Sequence, residues 1–302
     1  MKNNETILTV PNESSGERLD RYICSVQKDL SRTLIQKLIN KNLIFVNKKP
    51  SKSGYRLKAN DVVFISVPDL KETKIEPEKI KLDVVFEDKD IIVVNKSQGM
   101  VTHPASGVYK GTLVNALLGH CRDSLSGING VLRPGIVHRL DKETSGLIIT
   151  CKNDKSHTDI ADQIQKRKLK RHYLAIVHGK VQHDRGVINK PIGRDKVHRH
   201  KMAVISGGRN AITHWKVLKR FEKFTLLECT LETGRTHQIR VHMKSIGHPI
   251  VGDSTYGRKD SALPMMLHAY KLIFTHPRTK KEIKLEINVP ERFTNFLQNQ
   301  VE

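Results

Sequence analysis

The sequence predicts an α+β protein, in which a mixed, largely antiparallel sheet forms the larger domain and follows a small N-terminal domain of two helices and a β-ribbon. Two segments with apolar residues at helical spacing occupy the first 40 residues, and two β-rich runs follow them. From residue 82 onward, β-rich segments outnumber helical ones. Because strands and helices do not alternate regularly there, a doubly wound parallel sheet is not expected.

Length and composition are those of a globular chain. The 302 residues are enough for two ordinary domains, and 37% of them are hydrophobic and 28% charged. No apolar run approaches the length that crosses a bilayer, and the first 20 residues lack the apolar core and cleavage site of a secretory signal. Four separated cysteines without a CxxC pair suit a reducing compartment better than disulfides or a zinc site. We therefore expect a cytoplasmic protein with no membrane partner.

The charge balance is strongly basic. The chain has 53 Lys and Arg against 31 Asp and Glu, which gives a net charge of +22. The excess concentrates in residues 151–220, which carry 18 basic and 5 acidic residues. A surface tuned only for solubility is the simpler interpretation. A concentrated excess without a basic amphipathic helix nevertheless favours a nucleic acid over a membrane as the partner.

The first elements along the chain are two short helices and a β-ribbon. Apolar residues at helical spacing follow residue 17, and a second such run follows Ser31, a good N-cap residue. Residues 42–50 and 61–68 are β-rich runs separated by a turn-prone segment. Residues 68–81 are charged, contain two prolines and lack apolar periodicity, which predicts a linker. The predicted domains are residues 1–75 and residues 76–302.

The second domain is predicted to be mostly strands. A hairpin is expected around residues 87–90. Further β-rich runs cover residues 146–152, 171–181, 211–221, 224–234, 267–277 and 282–290. Helical patterns cover residues 112–120, 156–168 and 236–247.

Several familiar catalytic motifs are missing from the sequence. It has no HExxH, no GxSxG and no Walker-type phosphate loop, and its 15 histidines show no metal-ligand spacing. His237 and His242 lie five residues apart, which suits structural or RNA-facing roles better than a shared metal. The most distinctive segment is residues 135–152, in which the polar string HRLDKETSG leads into an apolar strand. Taken alone, an ordinary surface turn explains it more simply than a functional loop held against a strand.

Three motifs together change that interpretation. The string HRLDxxTSG from residue 138, with GRTHQIRVH from residue 234 and NKxxGMxxHP from residue 95, resembles the RluA/RluD-type RNA pseudouridine synthases. Seven fixed residues at about 5% usage each coincide by chance roughly once in a billion starting points. The strings ERLDRYI and SRTLIQKLINKNLIFVNKKP, within residues 16–68, are similar to the S-four RNA-binding domain. The resemblance extends from residue 16 to about residue 292.

The resemblance implies an isomerase that detaches uracil from ribose at N1, turns the base and rejoins it through carbon five. Since no atoms are gained or lost, no cofactor and no metal are expected. It further implies Asp141 as the catalytic carboxylate, with Arg240 as the guanidinium that favours its ionised form. Tyr173 would stack on the uracil and remove the proton from carbon five, and Arg139 would fill the place of the extruded base or position the RNA. Leu267 would lie behind the uracil.

The remaining basic residues are assigned to RNA. Arg235 and residues 166–171 would contact phosphates, and the S-four resemblance places Arg18, Arg32 and Lys37 on an RNA-facing surface that reads shape and backbone. The expected partner is structured RNA. By analogy with the RluD-like branch it is ribosomal RNA of the large subunit. The protein is expected to act as a monomer.

Two residues depart from the family pattern, and two other functions stay open. Ser97 stands where proline is customary and Thr102 where an apolar residue is common, so the rigidity of that loop is in doubt. A non-catalytic RNA-binding or ribosome-assembly protein would also use the basic surface, although binding alone needs no buried carboxylate. An RNA N-glycosidase or nuclease would share the carboxylate chemistry.

Overall fold

The computed structural model describes residues 4–27, 30–67, 75–104, 107–121, 124–130, 133–257 and 263–298. The chain divides into two compact units, Met1–Thr73 and Lys74–Glu302. Part of the predicted linker, residues 68–74, lies outside the described residues. In the described part of the chain, no helix combines the length and the apolar character needed to cross a bilayer.

The first unit combines two helices with a small sheet. Its elements are β1 (Asn4–Thr9), α1 (Leu19–Val26), α2 (Arg32–Asn40), β2 (Ile44–Val46), β3 (Lys49–Pro50) and β4 (Val62–Val67). Within the described residues the strands form an antiparallel sheet in the order β1-β4-β2-β3. The Ser31 side chain accepts a hydrogen bond from the Leu34 backbone and so caps α2. Both helices turn their apolar faces toward the core of this unit, and the predicted helices and ribbon are confirmed.

The second unit is built on a large sheet. Its strands are β5 (Val84–Glu87), β6 (Ile91–Lys96), β7 (Ser145–Cys151), β8 (Lys170–His178), β9 (Arg185–Asn189), β10 (Ile192–Arg194), β11 (Met202–Val204), β12 (Ile212–Arg220), β13 (Phe224–Leu231), β14 (Leu267–Thr275) and β15 (Glu282–Glu286). Its helices are α3 (Leu113–Cys121), α4 (Asp154–Gln165), α5 (Gln238–Ser245) and α6 (Glu291–Gln298).

The large sheet runs β5-β6-β7-β14-β8-β13-β12-β9 among the described residues, with β15 added to β14 and a separate β10–β11 hairpin. Strands β7 and β14 pair in parallel, and the other described pairings are antiparallel. The mixed, largely antiparallel α+β fold is therefore confirmed. Because β7 and β14 are parallel neighbours, both strands begin at the same end. The loop before β7 therefore approaches Leu267 at the start of β14.

Five of the helices and strands described above were not predicted. Strand β1 is short and leaves Ile7 66% exposed, so its apolar pattern is weak. Strands β9, β10 and β11 are only three to five residues long, and β9 and β10 each contain a glycine and an arginine. Helix α6 buries only Phe293 and Phe296. Short elements with few buried side chains give little periodic signal.

Candidate active site

The loop that carries Asp141 is fixed to the sheet on one side. The backbone N–H of Thr144 donates to the Asp141 carbonyl at 3.1 Å and closes a turn, after which β7 begins. Gly146 has φ +114°, and a Cβ on it would lie 2.2 Å from the Ala269 carbonyl oxygen. Glycine is required there by both the backbone conformation and the close approach of β14.

The other side of this loop is held by the segment from residue 96 to 102. The Thr102 hydroxyl donates to the Leu140 carbonyl at 2.7 Å and accepts from the Leu140 N–H at 3.3 Å. The buried Lys96 ammonium donates to the carbonyls of Ser97, Met100 and Lys142. Thr102, which was expected to loosen the loop, therefore anchors the residue next to Asp141. Burial lowers the pKa of Lys96 to about 7, against the favourable charges of Asp141 and Glu143.

A cavity of about 620 Å³ opens beside this loop. All six residues that the sequence predicts for the site in the second domain line its wall, namely Asp141, Tyr173, Arg240, Arg139, Leu267 and Arg235. They come from the loop before β7, from β8, from the segment around α5 and from β14. A cavity of this size accommodates a single nucleotide.

Arg240 lies between two carboxylates. Its Nη1 donates to Asp141 Oδ2 at 3.1 Å, while its Nε and Nη2 donate to the two oxygens of Asp253 at 2.7 and 2.8 Å. Asp253 is fully buried and also accepts from the backbone N–H groups of Thr255 and Tyr256. Burial opposes ionisation of Asp253, but the hydrogen bonds and charge of Arg240 outweigh it and lower its pKa. The fork to Asp253 fixes the guanidinium that faces Asp141.

Tyr173 occupies the middle of the large sheet. It pairs with Cys229 of β13 and Ala269 of β14, and its side chain is 5% exposed. Leu267, also buried, pairs with Ala175 two residues along the same strand. Burial raises the pKa of Tyr173, the Asp141 charge raises it further and the Arg171 charge opposes both. A flat ring and an apolar side chain thus form the inner wall of the cavity.

His237 lies closer to Asp141 than the sequence indicates. It precedes α5 with φ 56°, a left-handed conformation that is strained for histidine, and its Nε2 is 3.9 Å from Asp141 Oδ2. Its Nδ1 is 2.8 Å from the Tyr256 hydroxyl, which already accepts from the Met202 N–H at 2.8 Å. The Tyr256 hydroxyl therefore donates to His237 Nδ1, and Nε2 carries the ring proton beside Asp141. Burial lowers the pKa of His237, which favours this neutral form.

The Arg171 side chain is buried, although the sequence suggested that it contacts RNA phosphates. The stretch of residues 166–171 was assigned to phosphates, but the Arg171 side chain is only 5% exposed and lies in the wall of the cavity. Arg139 is exposed at the cavity, and the half-buried Arg235 donates from Nε to the Asn210 carbonyl at 3.0 Å. Arg139 and Arg235 therefore keep a positive rim around the cavity.

The basic residues of the first unit are arranged around Asp20, which is fully buried. Arg18 and Arg32 both form ion pairs with Asp20, at 3.0 and 2.8 Å. Their side chains stay 37% and 47% exposed, and Lys37 is exposed on α2. RNA contact by Arg18, Arg32 and Lys37 stays a prediction, and Arg18 and Arg32 also have a structural partner.

One group of metal-binding residue types occurs outside the cavity in the described part of the chain, consisting of Asp88, Asp90 and His276. The ring nitrogen His276 Nδ1 accepts from the backbone N–H groups of Arg278 and Thr279, so Nε2 carries the proton and donates to Asp88. Asp90 is paired with Arg278. These groups satisfy one another as a structural network.

Comparison with known proteins gives consistent matches over nearly the whole chain. A family model for RNA pseudouridylate synthase matches residues 90–245, and one for the S4 domain matches residues 17–63. The chain is 46% identical to an uncharacterized RNA pseudouridine synthase of Bacillus subtilis over 98% of both chains. It is 41% identical to the ribosomal large subunit pseudouridine synthase D of Zymomonas mobilis over 94% of both.

A solved structure agrees with these matches. The human RNA pseudouridylate synthase domain containing 1 aligns with a TM-score of 0.57 and 27% identity, over 70% of this chain and 85% of that one.

Proposed function

Because the chain belongs to the RNA pseudouridylate synthase family, we propose that it isomerises uridine in large-subunit ribosomal RNA, with Asp141 as the catalytic carboxylate. It is an isomerase that acts on RNA, as its motifs predict. The observation that carries the residue assignment is that Asp141 and Arg240 pair at 3.1 Å on the wall of a cavity that Tyr173 and Leu267 also line.

Asp141 is suited to act where the bond between ribose and uracil breaks. As N1 leaves with the bonding electron pair, positive charge develops at the anomeric carbon, and a carboxylate beside it stabilises or traps that charge. Arg240 holds the carboxylate in place, and its own position is set by Asp253. His237 presents an N–H donor on the same side of the cavity. The detached uracil then turns so that carbon five faces the same sugar carbon.

Tyr173 is suited to complete the reaction. After carbon five bonds to the sugar, its C–H bond must break, and the electron pair returns to the uracil ring. The phenol of Tyr173 gives its proton to N1, directly or through water, and the phenolate so formed takes the proton from carbon five. The tyrosine thereby returns to its starting form, and the product has the same mass as the substrate.

The target uridine must leave its stack to reach this cavity. Arg139, exposed next to Asp141, is placed to contact the surrounding RNA or to fill the space that the base leaves. Arg235 and the basic surface of residues 151–220 supply phosphate contacts. The ribosomal substrate rests on relatives named ribosomal large subunit pseudouridine synthase D, in Zymomonas mobilis and Neisseria meningitidis. A monomeric, cytoplasmic enzyme stays a prediction.

The proposal is tested with unmodified large-subunit ribosomal RNA that carries tritium at carbon five of uridine. The purified protein should release tritium to water and form pseudouridine without loss of mass or strand breaks. A free base or a cleaved strand would instead indicate a glycosidase or nuclease, and binding without any product would indicate a non-catalytic RNA-binding protein.

A further inference from the structure

The Arg171 guanidinium is buried without a partner. Its side chain is 5% exposed, and its Nε and Nη2 are enclosed and make no hydrogen bond. Within the described residues, no carboxylate lies within ion-pair distance of it. A buried, unpaired cation costs several kcal/mol of folding free energy, so such a group points to a role outside folding.

Gly234 packs against this guanidinium. A Cβ on Gly234 would lie 2.7 Å from Arg171 Nη1, and Gly234 does not have a positive φ that would otherwise call for glycine. A side chain at the first residue of the GRTHQIRVH motif would therefore displace the Arg171 guanidinium. Gly234 and Arg171 are in close contact, and both line the cavity wall.

Arg171 and Tyr173 share one face of the same strand. They lie two residues apart on β8, so their side chains point to the same side of the sheet, and both line the cavity. Tyr173 is the group whose negative form the Arg171 charge favours. The other titratable neighbour, His138, accepts from the Ile149 N–H through Nε2. Burial and the Arg171 charge lower the pKa of His138 to about 3, so it stays neutral and supplies no counter-charge.

A phosphate of the RNA is a poor partner for these donors. Arg171 Nε and Nη2 lie side by side on one edge of the guanidinium, which suits an oxygen anion. Each has less than 1 Å² of accessible surface, however, so a bulky phosphate group cannot reach them from the cavity. An anion that pairs with Nε and Nη2 must therefore come from a side chain already in the wall.

We propose that Arg171 is the counter-cation of the Tyr173 phenolate that removes the proton from carbon five. Arg171 is thus a positioning residue that acts through Tyr173, and this role rests on the proposed function of Tyr173 as the base. The Asp141 charge disfavours the phenolate before the reaction begins. Once the first step neutralises Asp141, by a covalent bond or by a proton, only burial still opposes the Arg171 charge, and the phenolate forms as the phenol gives its proton to N1 of the uracil.

The direct test measures the ionisation of Tyr173 in the free protein. Biosynthetic 3-fluorotyrosine gives one fluorine signal for each of the six tyrosines, and Tyr173→Phe identifies the signal of Tyr173. In Arg171→Met the pKa of Tyr173 should rise, and in Arg171→Lys it should stay near that of the wild type. Lys170→Met, which removes one positive charge from the exposed neighbouring residue on the opposite face of β8, is the matched control and should leave it unchanged.

Activity provides the second readout. Arg171→Met should lower the single-turnover rate near neutral pH by about 10- to 100-fold, within the ~10²–10⁴ that a general base contributes, and the rate should recover as pH rises. RNA affinity and resistance to unfolding should not fall, because replacing an unpaired buried cation with an apolar side chain is neutral or stabilising. Should Arg171→Met fold poorly, Gly234→Ala shifts the guanidinium without removing its charge and should also raise the pKa of Tyr173.

The outcomes separate this inference from the proposed function. An active wild-type enzyme in which neither Arg171→Met nor Gly234→Ala changes the pKa of Tyr173 would overturn the inference alone. Weaker RNA binding by Arg171→Met, with an unchanged pH profile, would also overturn it and would indicate a phosphate contact. An inactive wild-type enzyme would instead refute the proposed function, and the fluorine titration would still report on Arg171 and Tyr173.

Discussion

Asp253→Asn should weaken both the fold and the active site, because Asp253 is the fixed anchor of Arg240. The substitution keeps the shape but turns an NH₂ group or a neutral oxygen toward a guanidinium that now makes two short hydrogen bonds to a carboxylate. The Asp253 side chain is fully buried and the Arg240 side chain is 8% exposed, so water cannot replace the lost contacts. The variant loses charged hydrogen bonds in a buried pair, although Arg240 keeps its contact with Asp141. This loss should lower the free energy of unfolding by about 2–4 kcal/mol.

The single tryptophan allows this loss to be measured in the second unit alone. Trp215 is buried in β12, so its fluorescence during urea unfolding reports on the unit that contains Asp253. The destabilisation by Asp253→Asn should reach its full size above about pH 4, the ordinary pKa of an aspartate in an unfolded chain. Because the folded-state pKa of Asp253 is lowered, the stability it contributes is lost as pH falls through that lowered value. The difference between variant and wild type should therefore shrink in acid.

Activity should fall with stability, and a surface variant is the control. A shift of Arg240 displaces Asp141, and a misplacement of about 1 Å can reduce the rate by up to ~100-fold while RNA affinity is kept. Asp184 pairs with Arg220 at 2.7 Å but is 83% exposed, so Asp184→Asn should change stability by less than about 1 kcal/mol. If Asp253→Asn unfolds and reacts like Asp184→Asn, Arg240 is not positioned by Asp253.

Three further predictions address other parts of the molecule. Tyr173→Phe should bind RNA normally and abolish tritium release from carbon five, and turnover at the wild-type rate would exclude Tyr173 as the base. Thr102→Val removes both hydrogen bonds to Leu140 and should lower stability by about 1–3 kcal/mol in Trp215-monitored unfolding, with a slower single-turnover rate; an unchanged rate would show that the loop is held without them. Lys37→Ala should weaken RNA binding similarly for different sequences and reduce the salt dependence of log Kd by about one phosphate contact, whereas an unchanged salt slope would place Lys37 outside the interface.

Many of the elements predicted from sequence have several buried side chains, although β15, which buries none, was also predicted. Strands β7, β8, β13 and β14 are long apolar runs, and α4 and α5 carry helical periodicity, so their positions follow from pattern alone. Short strands such as β10 and β11 contain too few residues for a period to be visible. Of the site residues predicted for the second domain, Asp141, Arg139, Arg235 and Arg240 lie in the three motifs, and tertiary folding brings them to one cavity with Tyr173 and Leu267.

The residues that were missed act through distant contacts. Asp253 lies outside the three motifs, and nothing in its neighbourhood along the chain shows that it would meet Arg240. Arg171 resembles other residues of a basic stretch, and only its position on the cavity side of β8 buries it. Alternation along that strand, which places residue 171 on the same face as Tyr173, was the available signal.

Because Thr102 departs from the family pattern, the sequence put the rigidity of its loop in doubt. In the structure its hydroxyl forms two hydrogen bonds with Leu140 in place of apolar packing. A polar residue at an apolar motif position is a signal of local hydrogen bonding that sequence alone cannot assign to a partner.

Pseudouridine mapping in cells tests the role of Asp141 most directly. Ribosomal RNA from cells that lack the protein should have lost pseudouridine at one or more large-subunit positions. Wild-type protein should restore every lost position, and Asp141→Asn, produced at the same level and still able to bind RNA, should restore none. Restoration by Asp141→Asn, or an unchanged map in cells without the protein, would contradict the assignment of Asp141 as the catalytic carboxylate of a ribosomal RNA pseudouridine synthase.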